Sequence, residues 1–297
     1  MVQNSKKYKI FNLINYIFIT LLSLICILPL INVLAISLSD RAATASGIVN
    51  FLPVNFTTAA YEYVLEDKIF LKSFSVSVLR LIGGGILNLV LTLLCAYPLS
   101  KSSDDFKGRS FYVWLFLIPT LFSGGLIPTY MVVRNTHLLN TIASLIIPGA
   151  VPVFHVIIML NFLRGIPKEI EEAARIDGAG HWKTLLRIYV PLAKPSIATV
   201  TLFSLVNHWN SWFDGMIYIN KSINQPLATF LHNKVVQSGL DMMINTSDVD
   251  TLKQLLTISD QTTKSAEIFL GMLPILCVYP FLQKYFTKGL TLGGVKG

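Results

Sequence analysis

The sequence predicts an all-α protein that crosses a membrane six times, and three observations carry that expectation. First, 53% of its 297 residues are hydrophobic and 13% are charged, with a mean hydropathy of +0.60. An ordinary soluble domain carries about 25% charged residues, and a soluble chain of the present composition would expose apolar patches large enough to aggregate. Second, six stretches (roughly 10–38, 73–100, 109–133, 139–163, 193–219 and 266–286) reach or approach the length a span needs. That length is about 20 mostly apolar residues, because hydrocarbon leaves no open backbone group a partner. Third, the basic residues are unevenly divided between the segments that join these stretches.

With the N-terminus inside, the inner segments 1–9, 101–109, 164–194 and 284–297 hold 15 of the 24 Lys and Arg residues against six acids. The positive-inside bias therefore places both termini and residues 165–192 in the cytoplasm. The same asymmetry accounts for the net charge of +8 and the pI near 9.3. The basic residues do not gather on one soluble face, so no nucleic-acid partner is implied.

The first stretch follows Lys6, Lys7 and Lys9 and has small Ala35 near its end, as a secretory signal would. Its apolar run far exceeds a signal core of about 7–15 residues, so it is expected to remain as an anchor. The second contains Arg80 and Gly83-Gly84-Gly85; the glycines suit close approach of neighbouring helices. The fifth is the most polar, with Asn207, His208, Asn210 and Asp214. Two outer segments, 39–72 and 220–265, are long enough to be functional. The second of them is polar, with a weak amphipathic patch from Thr251 to Ile258. Residues 1–297 read as one transmembrane domain. Cys26, Cys95 and Cys277 each lie in an apolar stretch without metal-ligand spacing and read as buried free thiols.

The informative connection is 165–192. Pro167 suits a first helical turn, and Glu169, Glu171 and Glu172 complement the positive end of the helix dipole. Ala173 and Ala174 favour helix with little bulk, and Gly178 can adopt the left-handed conformation that ends one. A second short helix from about His181 is expected to carry Trp182, Leu185, Leu186 and Tyr189 on one face, with Pro191 and Pro195 closing the segment. A simple connecting loop would be only a few residues long.

Glu172-Ala173-Ala174, Asp177-Gly178-Ala179 and Ile188 followed by Pro191 match the signature loop of binding-protein-dependent ABC permeases, and the chain resembles that family over nearly its whole length. The Asp-Gly-Ala form, Pro191-Leu192-Ala193-Lys194-Pro195 and the tail Phe281 to Gly297 look most like the carbohydrate-uptake branch, close to its maltose-type inner subunit. Asn207 to Asp214 resembles permeases paired with lipoprotein receptors for larger plant- or algal-derived saccharides. The resemblance implies a type I importer permease in a bacterial cytoplasmic membrane, moving a sugar or oligosaccharide. It implies an extracytoplasmic binding protein or lipoprotein, a second permease subunit (a heterodimer) and two ATPase subunits. The ATPases would grip Glu172, Ala173, Ala174, Asp177, Gly178 and Ala179 and would hold ATP and Mg themselves, leaving this chain with no cofactor. A permease for a non-sugar solute is the alternative. An ATP-independent channel or secondary transporter leaves the hairpin unexplained.

No nucleotide site is expected here: Gly178 to Thr184 approximates a phosphate loop, but Trp182 stands where the essential glycine belongs. The five histidines show no paired ligand spacing, and no span holds a carboxylate pair, so neither a metal site nor an enzyme is expected. For the solute path the fifth stretch supplies Asn207, Trp209, Asn210, Trp212 and Asp214, and the second supplies Arg80. Polar groups inside a membrane tend to face a cavity, and Asn or Asp beside Trp suits sugar hydroxyls and the C–H face of the ring. The two tryptophans equally suit an interfacial belt, and Arg80 equally suits a carboxylate partner within the bundle or an acidic sugar.

Overall fold

Long apolar runs become helices, and the computed structural model describes residues 6–122, 124–244, 261–278 and 280, among which no strand occurs. The tail signature from Phe281 and the Thr251–Ile258 patch lie outside the described residues, as does the end of the expected sixth stretch.

The chain divides into two compact units, one within 1–71 and 231–273 and the other within 72–230 and 274–297. The first begins with α1 (Lys6–Ser37), whose apolar window is buried nowhere within the chain. A helix apolar on every side belongs in lipid or against another subunit. After α1 the chain folds back on itself. Ser39 Oγ donates to the Ala35 carbonyl at 2.6 Å and accepts from the Val54 N–H at 3.0 Å. The Asp40 carboxylate accepts from the Ala42 N–H at 3.3 Å and so starts α2 (Arg41–Ala45). Tyr61 on α3 (Ala59–Glu66) shares a 2.7 Å hydroxyl contact with Ser37. The segment 39–72 is therefore folded structure. In the same unit Lys234 Nζ meets the buried Glu267 carboxylate at 2.5 Å.

The second unit is built on α4 (Lys68–Ser100), the other helix among the described residues that is long and apolar enough to cross a membrane unbroken. The third, fourth and fifth expected spans are interrupted. Between α5 (Arg109–Leu121) and α6 (Leu126–Asn135) the chain breaks after Pro119, with Gly125 at φ +85°. The fourth begins as two 3₁₀ turns, Ile142–Leu145 and Ile147–Gly149, then bends by 48° into α7 (Val153–Arg164). Pro148 and Pro152 lack the N–H groups that an unbroken helix would need there. Next come α8 (Lys168–Ile176), α9 (His181–Thr184), a π-helical turn at Leu185–Tyr189 and α10 (Val190–Leu192). An 82° bend then leads into α11 (Lys194–Asn210). Ala193 at that corner is fully buried, and Pro195 occupies the first turn of α11. The core joins Ala96, Tyr97 and Leu99 of α4 to Val156, Met159 and Leu163 of α7, then to Leu185, Tyr189, Ala193 and Val200.

Three details differ from the sequence reading. Past α12 (Phe213–Tyr218), the polar segment 220–265 contains an 18-residue helix, α13 (Leu227–Ile244), whose first turn is anchored in the second unit: the Leu227 N–H donates to Ser77 Oγ at 2.7 Å. Cys26 and Cys277 are free but exposed on apolar helix surfaces, and Cys95 is half-buried. Finally, Trp182 and Leu186 point outward while Leu185 and Tyr189 enter the core, so the second hairpin helix has two apolar faces.

Candidate functional site

The hairpin is organised by its turn. The Gly178 N–H donates to the Arg175 carbonyl at 3.0 Å and the Ala179 N–H to the Ala174 carbonyl at 2.9 Å. With Gly178 at φ +71° this is a Schellman ending, which satisfies two carbonyls that the end of α8 leaves open. The turn fixes which side chains face outward. Glu172, Ala173, Ile176, Asp177 and Gly178 are exposed, Ala179 is half-buried, and Ala174 is buried against the body. Ile176 is 87% exposed and Trp182 67%, an outward apolar pair on a polar surface.

The inward side holds a charged cluster that sequence reasoning missed. Lys101, one residue past α4 and 7% exposed, donates to Glu171 Oε2 at 2.7 Å and to the Tyr189 hydroxyl at 3.2 Å. Its ammonium also lies 4.0 Å and 4.3 Å from the ring centres of Tyr97 and Tyr189. The Tyr189 hydroxyl donates to Glu171 Oε2 at 2.7 Å, and Arg175 bridges Glu171 Oε1 at 3.0 Å and Asp105 Oδ1 at 3.2 Å. Burial alone would raise the Glu171 carboxyl, but the bonds from Lys101 and Tyr189 outweigh it and hold the group below its usual range. Burial pulls Lys101 down against the opposing pull of Glu171, and burial together with the Glu171 contact drives the Tyr189 phenol well up. Bonds from Ser102 and Arg175 lower Asp105. The Glu171–Arg175 link has the i, i+4 spacing and was readable in the sequence; Lys101, 70 positions before Glu171, was not.

A second polar group joins α4 to α11. Asn88 Nδ2 donates to the Gly149 and Ala150 carbonyls at 2.9 and 3.3 Å, covering acceptors opened where the fourth stretch bends. Its Oδ1 therefore accepts from His208 Nε2 at 2.6 Å. The His208 ring lies over Gly84, where a Cβ would fall 2.4 Å from Nε2. Ile146 and Leu205 approach the Cβ positions of Gly83 and Gly85 at 3.4 and 3.1 Å. The glycine triplet thus serves close helix packing, as its composition implied. Nearer the end of α11, buried Arg80 forms a bidentate pair with Asp214 and donates to the Ser211 carbonyl at 3.0 Å. Each charge removes the need for another partner in a low-dielectric setting.

The sequence-derived path residues are therefore divided. Asn207, Asn210 and Trp212 are exposed around the end of α11. Trp209 is 6% exposed and packs edge-on to Phe74 at 5.8 Å, and Arg80 and Asp214 engage one another.

Broken apolar helices, paired membrane charges and a projecting helical hairpin define a polytopic transport subunit. The chain belongs to the family described as binding-protein-dependent transport system inner membrane component, whose family model matches residues 1–291. It is 39% identical over 296 residues to Protein LplC of Bacillus subtilis (strain 168), covering 100% of this chain and 98% of that one. It is 37% identical over 292 residues to the polygalacturonan/rhamnogalacturonan transport system permease protein YtcP of the same organism, covering 98% and 100%. Among solved structures, a bacterial ABC transporter involved in the import of the acidic polysaccharide alginate has a chain that aligns with a TM-score of 0.84. That match has 32% identity and covers 95% of this chain and 98% of that chain. The protein is an ABC importer permease, a transport subunit and not an enzyme, and permeases of this family carry no cofactor of their own.

Proposed function

We propose that this chain pairs with a second permease subunit to form the path for an oligosaccharide received from an extracytoplasmic binding protein or lipoprotein, and that its 165–192 hairpin docks on an ATPase subunit. In this reading the chain crosses the bacterial cytoplasmic membrane six times, with both termini and the hairpin inside, and ATP and Mg are bound by the two ATPase partners. Relatives named for polygalacturonan, rhamnogalacturonan and alginate support a saccharide cargo, and acidic saccharides in particular. The observation that carries the docking assignment is the sorting of the hairpin by its Schellman turn. Small Ala173 and Gly178 and the acids Glu172 and Asp177 face out, beside Ile176, while Glu171 and Ala174 face in. A protruding turn with little bulk and flanking carboxylates fits a groove with basic or N–H donors. Asn207, Asn210 and Trp212 are the residues offered to cargo, with the Arg80–Asp214 pair holding the end of α11 in place. Glu172→Lys reverses one outward charge without touching the core. It should reach the membrane at parental levels, lose capture of the ATPase and lose uptake; normal capture and uptake would remove the hairpin from this role.

A further inference from the structure

Lys101 sits where three parts of the second unit converge: the end of α4, the 101–108 connection and both helices of the hairpin. Its bonds to Glu171 and Tyr189 and its place over the rings of Tyr97 and Tyr189, which pack edge-on against one another, tie α4 to α8 and to the π-helical turn at once. Cavities of about 310 and 320 Å³ flank this cluster, both lined in part by Asp105 and His181. Solvent-sized space on either side leaves the cluster as a discrete polar strut beside the apolar packing of Leu185 and Tyr189. The helix it grips is the one that carries Asn88 and Arg80, about 20 and 32 Å along its axis from Lys101 at 1.5 Å per residue. A displacement of the hairpin base would thereby reach the helix that holds Asn88, bonded to His208 of α11, and Arg80, paired with Asp214 of α12.

We infer that Lys101 is a positioning residue for coupling: it transmits movement of the ATPase-docked hairpin to α4, without itself touching ATPase or cargo. The inference rests on the docking role proposed above. Leaving this site would take the ammonium partner from Glu171 Oε2 and leave the buried carboxylate to the Tyr189 hydroxyl and to Arg175 on its other oxygen, so the pairing resists sliding of the hairpin against α4. An apolar side chain of similar length would fill the slot and keep the packing, but would let the hairpin slide against α4.

The test uses the complete importer in proteoliposomes, with ATPase capture, ATP hydrolysis and uptake measured on the same preparations. Lys101→Met should capture the ATPase and hydrolyse ATP like the parent, while solute moved per ATP falls roughly ten-fold or more. Lys101→Arg, which retains the cation, the carboxylate pair and the ring contacts, should restore most of that ratio. Tyr189→Phe keeps the ring and removes only the hydroxyl bonds; it should give a smaller loss, about two- to five-fold, and carries the test if Lys101→Met fails to accumulate. An unchanged ratio in Lys101→Met or, where that variant is absent, in Tyr189→Phe overturns the inference. So does loss of ATPase capture in a variant that reaches the membrane, or a Lys101→Arg protein no better than Lys101→Met. Failure of the docking role is read separately, as undiminished capture in Glu172→Lys.

Discussion

Gly178 offers a graded perturbation of the hairpin whose size follows from the backbone alone. Its φ of +71° lies in the left-handed region, and an added Cβ would meet nothing within 4 Å, so substitution there is opposed by backbone strain and not by a neighbour. For alanine that strain is about 1–2 kcal/mol, a factor of roughly 5–30 in the population of hairpins with the turn formed. Valine, branched at Cβ, should cost more, whereas asparagine visits this region readily and should cost least. Loss of the turn releases the Ala174 and Arg175 carbonyls and turns Glu172, Ala173 and Asp177 away from their common outward surface. ATPase capture and uptake should therefore rank Gly, Asn, Ala, Val in falling order at equal membrane abundance. A Gly178→Val protein that captures ATPase and transports like the parent would refute the argument that this turn presents the docking surface.

Gly84→Ala should push the His208 ring off its seat or separate α4 from α11, lowering the detergent melting temperature by the equivalent of about 1–3 kcal/mol. Adding His208→Ala removes the obstructing ring, so the double variant should be less destabilised than the two single changes sum to, and strict additivity would show that the helices do not approach as described. Asn210→Ala should reduce uptake while leaving ATPase capture intact, because the side chain is exposed and stands at the opposite end of α11 from the hairpin; undiminished uptake over a full range of cargo concentrations would take Asn210 out of the path. For the Lys101 cluster, the Glu171 carboxyl is depressed by Lys101 and Tyr189, with Arg175 bound to its other oxygen and Asp105, Tyr97 and His181 facing the same cluster. Its contribution is thus fully present above the usual carboxylate range and is lost as pH falls through the lower folded value. Amide-exchange protection of 168–192, corrected for intrinsic rates, should stay level from about pH 8 to 5 and decline only below about 4; a decline centred near 6 would point to a histidine instead.

The helical class, the position of the hairpin and the left-handed glycine were all legible in the sequence, because each depends on local pattern: apolar length, a glycine after a capped helix, acids in a first turn. Gly83 to Gly85 was legible as a close-packing site, though not that a histidine would be the group packed there. The interruptions were underestimated. Hydropathy averages over Pro119, Pro148 and Pro152 and registers continuous spans where the backbone breaks. The division of 207–214 into buried Trp209 and exposed Asn210 depends on which way α11 faces, which its near-uniform composition does not encode. Least legible was the partner of Lys101. A lone lysine after an apolar run reads as an ordinary inner-face charge, and its carboxylate and tyrosine lie 70 and 88 positions away.

The central claim, that the exposed edge of this hairpin is where the ATPase is seated, can be read from a single photo-crosslinking experiment on the intact importer in membranes. A benzoylphenylalanine at Ala173, exposed beside the Gly178 turn, is compared with one at Leu52, which is 77% exposed in the folded 39–72 segment. The account predicts an ATPase adduct from position 173 and none from position 52. An adduct from position 52, or none from position 173 in complexes that still hydrolyse ATP, would contradict it.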